Sequence, residues 1–423
     1  MVKEYLRVFK SAPLCGEVKL SGAKNAVLVT MASLLLAVGR SRLHNVPASF
    51  DVFNMIELLK WLGVLVVFDS NAGVLDIDTS CITSLEAPLD IVKKMRASIL
   101  VMGPLLARYG SVRITQPGGD SIGSRPIDFH LKAFARMGAE ISFFDDAIEA
   151  KALTLSSSRF ILDYPSVGAT ENILMAAVLA PGVTVIENAA FEPEVFELVA
   201  VLRKMGALIE LAIPATILVR GVKQLEPVEY TVMPDRLEAG TLLLAVAATG
   251  GEVEMPNAPV QAMSLFIEKL RDMGHLVTTG ESGLGLSFKA HLSPRAISFK
   301  TMPYPGYPTD LQSPTMAVLS VAEGTSVITE TVFDNRMLHV PALQKMGADI
   351  EVRGATALIK GVAQLRGGAV EATDIRAAAA LAIAGLMAEG ETIVSGVPHL
   401  LRGYAGLDAK LRALGAPVSF VSM

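Results

Sequence analysis

The chain has 423 residues, of which 51% are hydrophobic, and this length exceeds what one hydrophobic core usually holds, so two domains are expected. Its 37 basic and 42 acidic residues give a formal net charge of -5, which argues against a nucleic-acid partner. The chain has only two cysteines, and its amino terminus shows no run typical of a signal peptide. The apolar run at 377–388 is too short to span a bilayer. These features predict a cytoplasmic protein without a membrane partner.

One pattern of strand, helix, glycine and strand recurs along the chain at intervals of about 70 residues. Each helix ends in Leu-Gly or Met-Gly, where glycine supplies the left-handed residue that commonly terminates a helix. The pattern predicts six copies of one β/α unit. The strands that precede these helices are RLHNVPA, SVRITQPGG, TVIENAA, GEVEMPNAP, SVITETVF and TIVSGVP, and the glycines are Gly63, Gly138, Gly206, Gly274, Gly347 and Gly415.

A second helix is predicted upstream of the strand in each copy. These helices are apolar or alanine-rich, as in IRAAAALAIAGLMA, so we expect them to be buried inside a coat of sheets. Their N-termini carry free N–H groups and the positive end of the helix dipole, and together they could line a surface suited to anions. The predicted starts are Ser21, Met95, Ser166, Pro234, Thr309 and Thr373.

Polar and charged side chains gather at these six helix starts. Asp and Thr at a helix start are more often caps than catalysts. Lys24 and Arg96 do not fit that interpretation, because a cation in the first turn opposes the helix dipole and calls for an anionic partner, which a phosphorylated ligand would supply. The gathered residues are Lys24, Asn25, Arg96, Ser166, Asp235, Arg236, Glu238, Asp310, Asp374 and Arg376.

The glycine-rich segment 116–126 is the longest loop of its repeat and predicts a lid. It leads into a helix with Pro126 in the first turn, which places Arg125 at the helix entrance. The alternative is a solvated turn in which Asp120 and Arg125 have no role. The segment is not a nucleotide-binding P-loop, and no Rossmann glycine motif, nicotinamide site or metal-ligand spacing is found. His130, on the polar face of this helix, could contact a ligand, although a lone histidine is more often structural.

Several short motifs, in order along the whole chain, resemble the UDP-N-acetylglucosamine 1-carboxyvinyltransferase family of enolpyruvyl transferases. Each is weak evidence alone, but eight at nearly the family's spacing are a strong signal. They are SGAKNA at 21–26, MRASI at 95–99, PGG-x-x-IG-x-RP-x-D at 117–128, SVGAT at 166–170, PDR-x-E-x-G at 234–240, PTD at 308–310, ATD-x-RA at 372–377 and RGY at 402–404.

The resemblance implies an α/β fold known as an inside-out α/β barrel. It has two similar domains of three β/α repeats each, with helices inside, sheets outside and the active site between them. It also implies that residues 23–233 form the first domain, including the lid loop 116–126. Residues 1–22 and 234–423 then form the second.

The resemblance also implies which residues bind the substrates. Positions that hold phosphoenolpyruvate, a compact anion suited to guanidinium and ammonium groups, are matched by Lys24, Arg125 and Arg402, with Arg96 and Arg376 as further basic positions. Positions that contact the nucleotide sugar are matched by Asn25, Arg125, Pro126, Ile127, Asp128, Phe129, Ser166, Val167, Gly168, Asp310 and Val332. No cofactor or metal is implied beyond the co-substrate phosphoenolpyruvate, and a monomer or weak homo-oligomer is expected.

The implied reaction is the first committed step of peptidoglycan precursor synthesis, which supports cell-wall formation, cell shape and division. The sugar hydroxyl adds to phosphoenolpyruvate while the methylene is protonated, and phosphate then leaves. Asp310 is expected to act as the base, and Lys24 and Arg402 are expected to stabilise developing charge. Asp120 and Asp374 are also expected to be catalytic, and the resemblance does not assign a role to Asp374.

One position departs from the family, most of whose members have a cysteine where this chain has Asp120. Aspartate serves as a general acid only if its surroundings raise its pKa, and a nearby Arg125 would lower it. Because a carboxylate is a poorer nucleophile than a thiolate, we expect insensitivity to fosfomycin, which alkylates that cysteine.

Two alternatives stay open at this point. The sister enolpyruvyl transferase of the shikimate pathway shares the fold and phosphoenolpyruvate, although SVGAT and the PGG motif favour a nucleotide sugar. A non-catalytic paralogue that binds nucleotide sugar is disfavoured because Lys24, Asp120, Asp310 and Arg402 are all present.

Overall fold

The computed structural model describes residues 4–115, 117–120, 122–123, 127–280 and 283–422; Arg125 and Pro126 of the predicted site lie outside them. Within these ranges the strands in chain order are β1 Glu4–Phe9, β2 Cys15–Glu17, β3 Arg40–His44, β4 Leu65–Asp69, β5 Val74–Asp78, β6 Glu86–Ala87, β7 Ser111–Ile114, β8 Glu140–Phe143, β9 Ile148–Lys151, β10 Arg159–Ile161, β11 Val183–Glu187, β12 Leu208–Ala212, β13 Thr216–Arg220, β14 Glu229–Thr231, β15 Glu252–Pro259, β16 Leu276–Thr279, β17 Leu284–Lys289, β18 Phe299–Lys300, β19 Thr325–Thr329, β20 Asp349–Arg353, β21 Thr356–Lys360, β22 Ala369–Glu371, β23 Glu391–Ser395 and β24 Val418–Ser422.

The α-helices alternate with these strands. They are α1 Lys24–Ser33, α2 Phe50–Trp61, α3 Leu89–Val92, α4 Met102–Tyr109, α5 Asp128–Arg136, α6 Val167–Ala177, α7 Pro193–Lys204, α8 Arg236–Thr249, α9 Ser264–Asp272, α10 Gln312–Leu319, α11 Val340–Lys345, α12 Ile375–Met387, α13 Val397–Gly403 and α14 Leu407–Ala413. Short 3-10 helices span Leu34–Leu36, Arg96–Val101, Val260–Met263 and Thr309–Leu311. In the part of the chain that the structure describes, no helix is long and apolar enough to cross a membrane.

The strands form six four-stranded sheets with one shared pattern of pairing. In each sheet the first two strands run parallel and the other two pairings are antiparallel, as in β10-β11-β13-β12. The same pattern holds for β14-β3-β5-β4, β6-β7-β9-β8, β2-β15-β17-β16, β18-β19-β21-β20 and β22-β23-β1-β24. Six such sheets confirm the sixfold repeat that the glycine spacing predicts.

The six repeat glycines adopt the predicted left-handed conformation. Each follows the helix of its repeat that packs outside the central helices, and their φ angles lie between 94° and 106°. A side chain with a Cβ is strained at such φ values, so glycine is the residue that lets the helix stop and the next strand begin.

The chain divides into two units, each with its own hydrophobic core. The central unit comprises Gly22–Gly119 and Arg125–Met233, and the C-terminal unit comprises Met1–Ser21, Asp120–Ser124 and Pro234–Met423. This division differs from the predicted domain boundaries at the glycine loop, because that loop was predicted to be part of the first domain, residues 23–233. Asp120 and Ile122 instead bond to Arg402 and Asn335 of the C-terminal unit.

The second helix of each repeat is buried on nearly all sides. Every residue of α12 is buried, and α8 is buried from Arg236 to Ala247. Alanine and glycine leave little side-chain bulk, so neighbouring helices such as α10 and α12 can pack closely inside the sheets. This confirms the predicted arrangement of helices inside and sheets outside in each unit.

The carboxyl of Glu171 in α6 is buried in the core of the central unit and is 5% exposed. Burial raises its pKa well above the usual 4.5, and the charges of Glu194 and Glu192 raise it further. Since the folded state then keeps its proton to a higher pH than the unfolded state does, this group lowers stability as the pH rises above about 4.5.

We therefore expect Glu171→Gln to raise the free energy of unfolding at pH 7 and to change it little at pH 4. Urea denaturation at both pH values measures the difference. Glu140→Gln, at an exposed position of β8, is the control and should change stability little at either pH. A Glu171→Gln protein less stable than the parent at pH 7 would contradict the expectation.

Candidate active site

Lys24 is the first residue of α1 in the central unit, and it is 8% exposed. Its Nζ donates to Oδ2 of Asp51, in the first turn of α2, at 3.1 Å. The protein itself thus supplies part of the negative charge that Lys24 was expected to meet in a ligand. Asn25, the next residue, is exposed. The first turn of α1 therefore presents an amide beside a buried, paired ammonium.

The chain enters α1 through a close backbone crossing that explains the glycine of the SGAKNA motif. A Cβ on Gly22 would lie 1.8 Å from the carbonyl oxygen of Asn45, so no other residue fits there. The N–H of Ala23 donates to the carbonyl of Met233 at 2.7 Å. These contacts fix the backbone that carries Lys24.

His130 of α5 is buried and belongs to a hydrogen-bond network with α6. It is 4% exposed, and its Nδ1 lies 2.9 Å from Nδ2 of Asn172 in α6. Burial, together with the positive charge of Arg96, lowers the pKa of His130 to about 4, so the ring is neutral near pH 7. Asn172 also bonds to the carbonyl of Ile99 and the N–H of Gly103. This network ties α5 and α6 to the segment that begins with Arg96.

The remaining residues of the central unit that were predicted to contact the sugar, apart from those outside the described ranges, are accessible. Ser166 caps α6 by accepting a hydrogen bond from the N–H of Ala169 at 3.4 Å, so the capping interpretation holds here. Ser166, Val167 and Gly168 are half-buried at the start of α6. Half-buried residues at the start of α5 are Ile127, Asp128 and Phe129.

In the C-terminal unit, Asp310 lies in the 3-10 helix Thr309–Leu311 between two arginines. Its Oδ1 accepts from Arg336, and its Oδ2 accepts from Arg376 at 2.9 Å. Arg376 also donates to the hydroxyl of Tyr404 at 2.8 Å, and that hydroxyl lies 2.9 Å from Oγ1 of Thr241. Burial lowers the pKa of Arg376, but Asp310 and Tyr404 outweigh burial and raise it well above its usual value. The network holds Asp310 rigidly as a carboxylate.

Asp374 and Asp235 are N-caps, as the alternative interpretation of the helix starts proposed. Asp374 accepts from the backbone N–H groups of Arg376 and Ala377, at 2.8 and 3.1 Å. Asp235 accepts in the same way from Leu237 and Glu238. Val332, the other residue of this unit that was predicted to contact the sugar, donates its N–H to Oε1 of Glu330 at 2.8 Å.

Asp120 and Arg402 form an ion pair in the C-terminal unit. Nη1 of Arg402, in α13, donates to Oδ1 of Asp120 at 2.8 Å, and both side chains are mostly buried. A guanidinium at this distance favours the ionised carboxyl. Arg125, which was predicted to lower the pKa of Asp120, lies outside the described residues. Arg402 favours the ionised form of Asp120 in the same way. The structure therefore brings together two of the predicted catalytic residues.

Sequence reasoning missed the groups that hold these residues. Asp51 carries a faint signal, since it stands in the first turn of a predicted helix. Arg336 and His399 carry none, because their partners are distant in the sequence and no local pattern marks them.

Comparison with known proteins covers nearly the whole chain. Residues 8–411 match the sequence model of EPSP synthase (3-phosphoshikimate 1-carboxyvinyltransferase). UDP-N-acetylglucosamine 1-carboxyvinyltransferase 1 of Caldanaerobacter subterraneus subsp. tengcongensis is 50% identical over 97% of this chain and 98% of the relative. UDP-N-acetylglucosamine 1-carboxyvinyltransferase of Myxococcus xanthus is 49% identical over 96% of each.

Solved structures share the fold. The enolpyruvyl transferase NikO from Streptomyces tendae superimposes with a TM-score of 0.90 at 25% identity over 100% of both chains. EPSP synthase from Acinetobacter baumannii has a TM-score of 0.77 at 19% identity over 99% of this chain and 100% of that chain. These similarities confirm the predicted fold class. The chain thus belongs to the EPSP synthase family of enolpyruvyl transferases, within which its half-identical relatives place it among the UDP-N-acetylglucosamine 1-carboxyvinyltransferases.

Proposed function

We propose that this protein transfers the enolpyruvyl group of phosphoenolpyruvate to the 3-hydroxyl of UDP-N-acetylglucosamine and releases phosphate. The observation that carries the proposal is the identity of about half of all residues, over nearly the full length, with relatives named for that activity. The reaction is the first committed step of peptidoglycan precursor synthesis.

The basic residues of both units suit the phosphoenolpyruvate anion. Lys24 offers an ammonium that Asp51 holds at the start of α1, and Arg402 offers a guanidinium fork from α13. Arg96 and Arg376 add charge at equivalent helix starts, and Arg125 completes the proposed set. In the described structure Arg402 is bound to Asp120, so phosphoenolpyruvate has to compete with or share that contact.

In this proposal the nucleotide sugar binds at the accessible helix starts. We assign to it Asn25, the segment from Arg125 to Phe129, the first turn of α6 from Ser166 to Gly168, and Asp310 with Val332. Backbone N–H groups at the start of α6, an 11-residue helix, favour a negative group such as a diphosphate.

Asp310 is the proposed base for the sugar hydroxyl. Each of its oxygens accepts a hydrogen bond from an arginine, which favours the ionised carboxylate that a base requires. As the hydroxyl oxygen bonds to the central carbon of phosphoenolpyruvate, its proton passes to Asp310, and the methylene carbon gains a proton. Lys24 and the arginines stabilise the charge that develops on phosphate before it leaves. Asp374 contributes by capping the helix that carries Arg376.

An assay of phosphate release with each acceptor tests the proposal. We expect release from phosphoenolpyruvate with UDP-N-acetylglucosamine and none with shikimate 3-phosphate. Release with shikimate 3-phosphate alone would move the assignment to the sister enzyme. Binding of the nucleotide sugar without any release would instead indicate a non-catalytic paralogue.

The carboxylate at position 120 predicts insensitivity to fosfomycin. We expect Asp120→Cys to become sensitive, with inactivation at least about tenfold faster than in the parent chain, because a thiolate attacks an epoxide and a carboxylate hardly does. Asp120→Ser, which lacks the thiolate, is the matched control and should stay insensitive. Mass spectrometry locates the adduct, since Cys15 and Cys81 are also exposed. Equal dose responses of the Asp120→Cys variant and the parent would contradict the prediction.

The setting of the activity follows from the same proposal. We place the protein in the cytoplasm, as a monomer or weak homo-oligomer that needs no cofactor beyond its two small-molecule substrates. Its product would feed cell-wall formation and thereby cell shape and division.

A further inference from the structure

His399 stands next to the ion pair of Asp120 and Arg402. It lies one helical turn before Arg402 in α13, and its Nδ1 is 3.7 Å from Oδ1 of Asp120. That nitrogen is buried and has no hydrogen-bond partner among the residues that the structure describes. The ring as a whole remains partly accessible, with 35% of the side chain exposed.

The other charged groups near α13 are engaged elsewhere. Helix α12 and strand β1 pack against α13. On α12, Arg376 contacts Asp310 and Tyr404, while Asp374 caps the helix. On β1, Arg7 pairs with Glu391 at 2.8 Å, and Glu4 is exposed. Within the described ranges, Asp120 is therefore the charged group that faces the His399 ring most directly.

Asp120 poses a problem that the proposed reaction has to solve. The methylene carbon of phosphoenolpyruvate must gain a proton, yet the contact with Arg402 favours an Asp120 that has none. When the trianion draws Arg402 away, Asp120 loses that counter-charge and gains a negative neighbour. Both changes favour proton uptake, and His399 is placed to supply the proton.

We propose that His399 is a positioning residue that holds the proton for Asp120, which then donates it to phosphoenolpyruvate. This inference rests on the proposed function. During addition, the N–H bond at Nδ1 breaks as an O–H bond forms on Asp120, while Nε2 of the partly exposed ring takes a proton from solvent, so the ring stays neutral. The proton on Asp120 then passes to the methylene carbon, whose alkene electron pair forms the new C–H bond. During elimination, a methyl proton returns to Asp120 and on to His399, the alkene forms again, and phosphate leaves with the electron pair of its C–O bond.

A double-mutant comparison tests the coupling. We expect His399→Gln to lower kcat about 10²-fold, a usual contribution of one proton-transfer group, while KM for phosphoenolpyruvate changes little. In the Asp120→Cys background, where a thiol takes over from the carboxyl, the same substitution should lower kcat by less than about threefold. His291→Gln, at an exposed histidine of the same unit, is the matched control and should leave kcat unchanged. Equal losses in both backgrounds, or no loss in either, would overturn the inference.

A second measurement does not depend on turnover. In ¹⁵N spectra of the full-length protein, we expect the neutral form of His399 to carry its proton on Nδ1, the nitrogen that faces Asp120. Asp120→Asn should abolish that preference. A parent protein with the proton on Nε2 would overturn the proposal even if phosphate release is normal. A confirmed Nδ1 proton without phosphate release would instead count against the proposed function alone.

Discussion

Asp310→Asn is expected to lower kcat by about 10²- to 10⁴-fold, because the amide cannot take the proton of the sugar hydroxyl. The amide oxygen and nitrogen keep the shape of the side chain between Arg336 and Arg376, so the loss should fall mainly on kcat measured at saturating substrates. Phosphate release is the readout.

The control for this prediction is Asp272→Asn, which removes an exposed carboxylate at the end of α9. It should change kcat less than twofold, as is usual for surface substitutions away from a site. If Asp310→Asn retains more than about a tenth of the parent kcat, Asp310 is not the base, and the two arginines serve another purpose.

Arg376→Met is expected to lower the free energy of unfolding by about 1–3 kcal/mol, the usual cost of leaving buried groups without a hydrogen-bond donor, because Arg336 still pairs with Asp310. Arg376 is 5% exposed and bonds to both Asp310 and Tyr404, so its loss leaves a carboxylate oxygen and a phenol without their donor. Urea denaturation followed by circular dichroism measures the change.

Tyr404→Phe is the matched control for this second prediction. It removes the hydroxyl that Arg376 and Thr241 share but leaves the ion pair intact, and it should cost about 1 kcal/mol. Equal losses in the two variants would show that the hydroxyl network, rather than the charge pair, stabilises this part of the C-terminal unit.

The repeat architecture could be predicted because its determinants are local. The glycine after each outer helix, the β-branched strand before it and the apolar inner helix each follow from a few neighbouring residues, as α12 and Gly347 illustrate. The caps were also foreseen as alternatives, and Ser166, Asp235 and Asp374 adopt them.

The partners of the site residues could not be predicted, because they join elements far apart in the chain. Lys24 pairs with Asp51 from the next helix, and Asp120 pairs with Arg402 from nearly three hundred residues away. Such pairs depend on how sheets and helices pack, and no spacing in the sequence encodes that. The resemblance to a family supplied candidate positions, but it did not supply the ion pair that this chain forms with its own aspartate.

The placement of β1 between β23 and β24 bears on how the protein is made. This strand leaves the ribosome before the central unit does, yet its partners Glu391–Ser395 and Val418–Ser422 follow only after that unit. The central unit is contiguous apart from one short loop and can assemble while synthesis continues, whereas the β1 edge waits exposed. A nascent chain arrested once Met233 has left the ribosome, but before β23 has been made, should therefore hold a folded central unit and an unpaired β1, the stage at which it is most open to aggregation or chaperone capture.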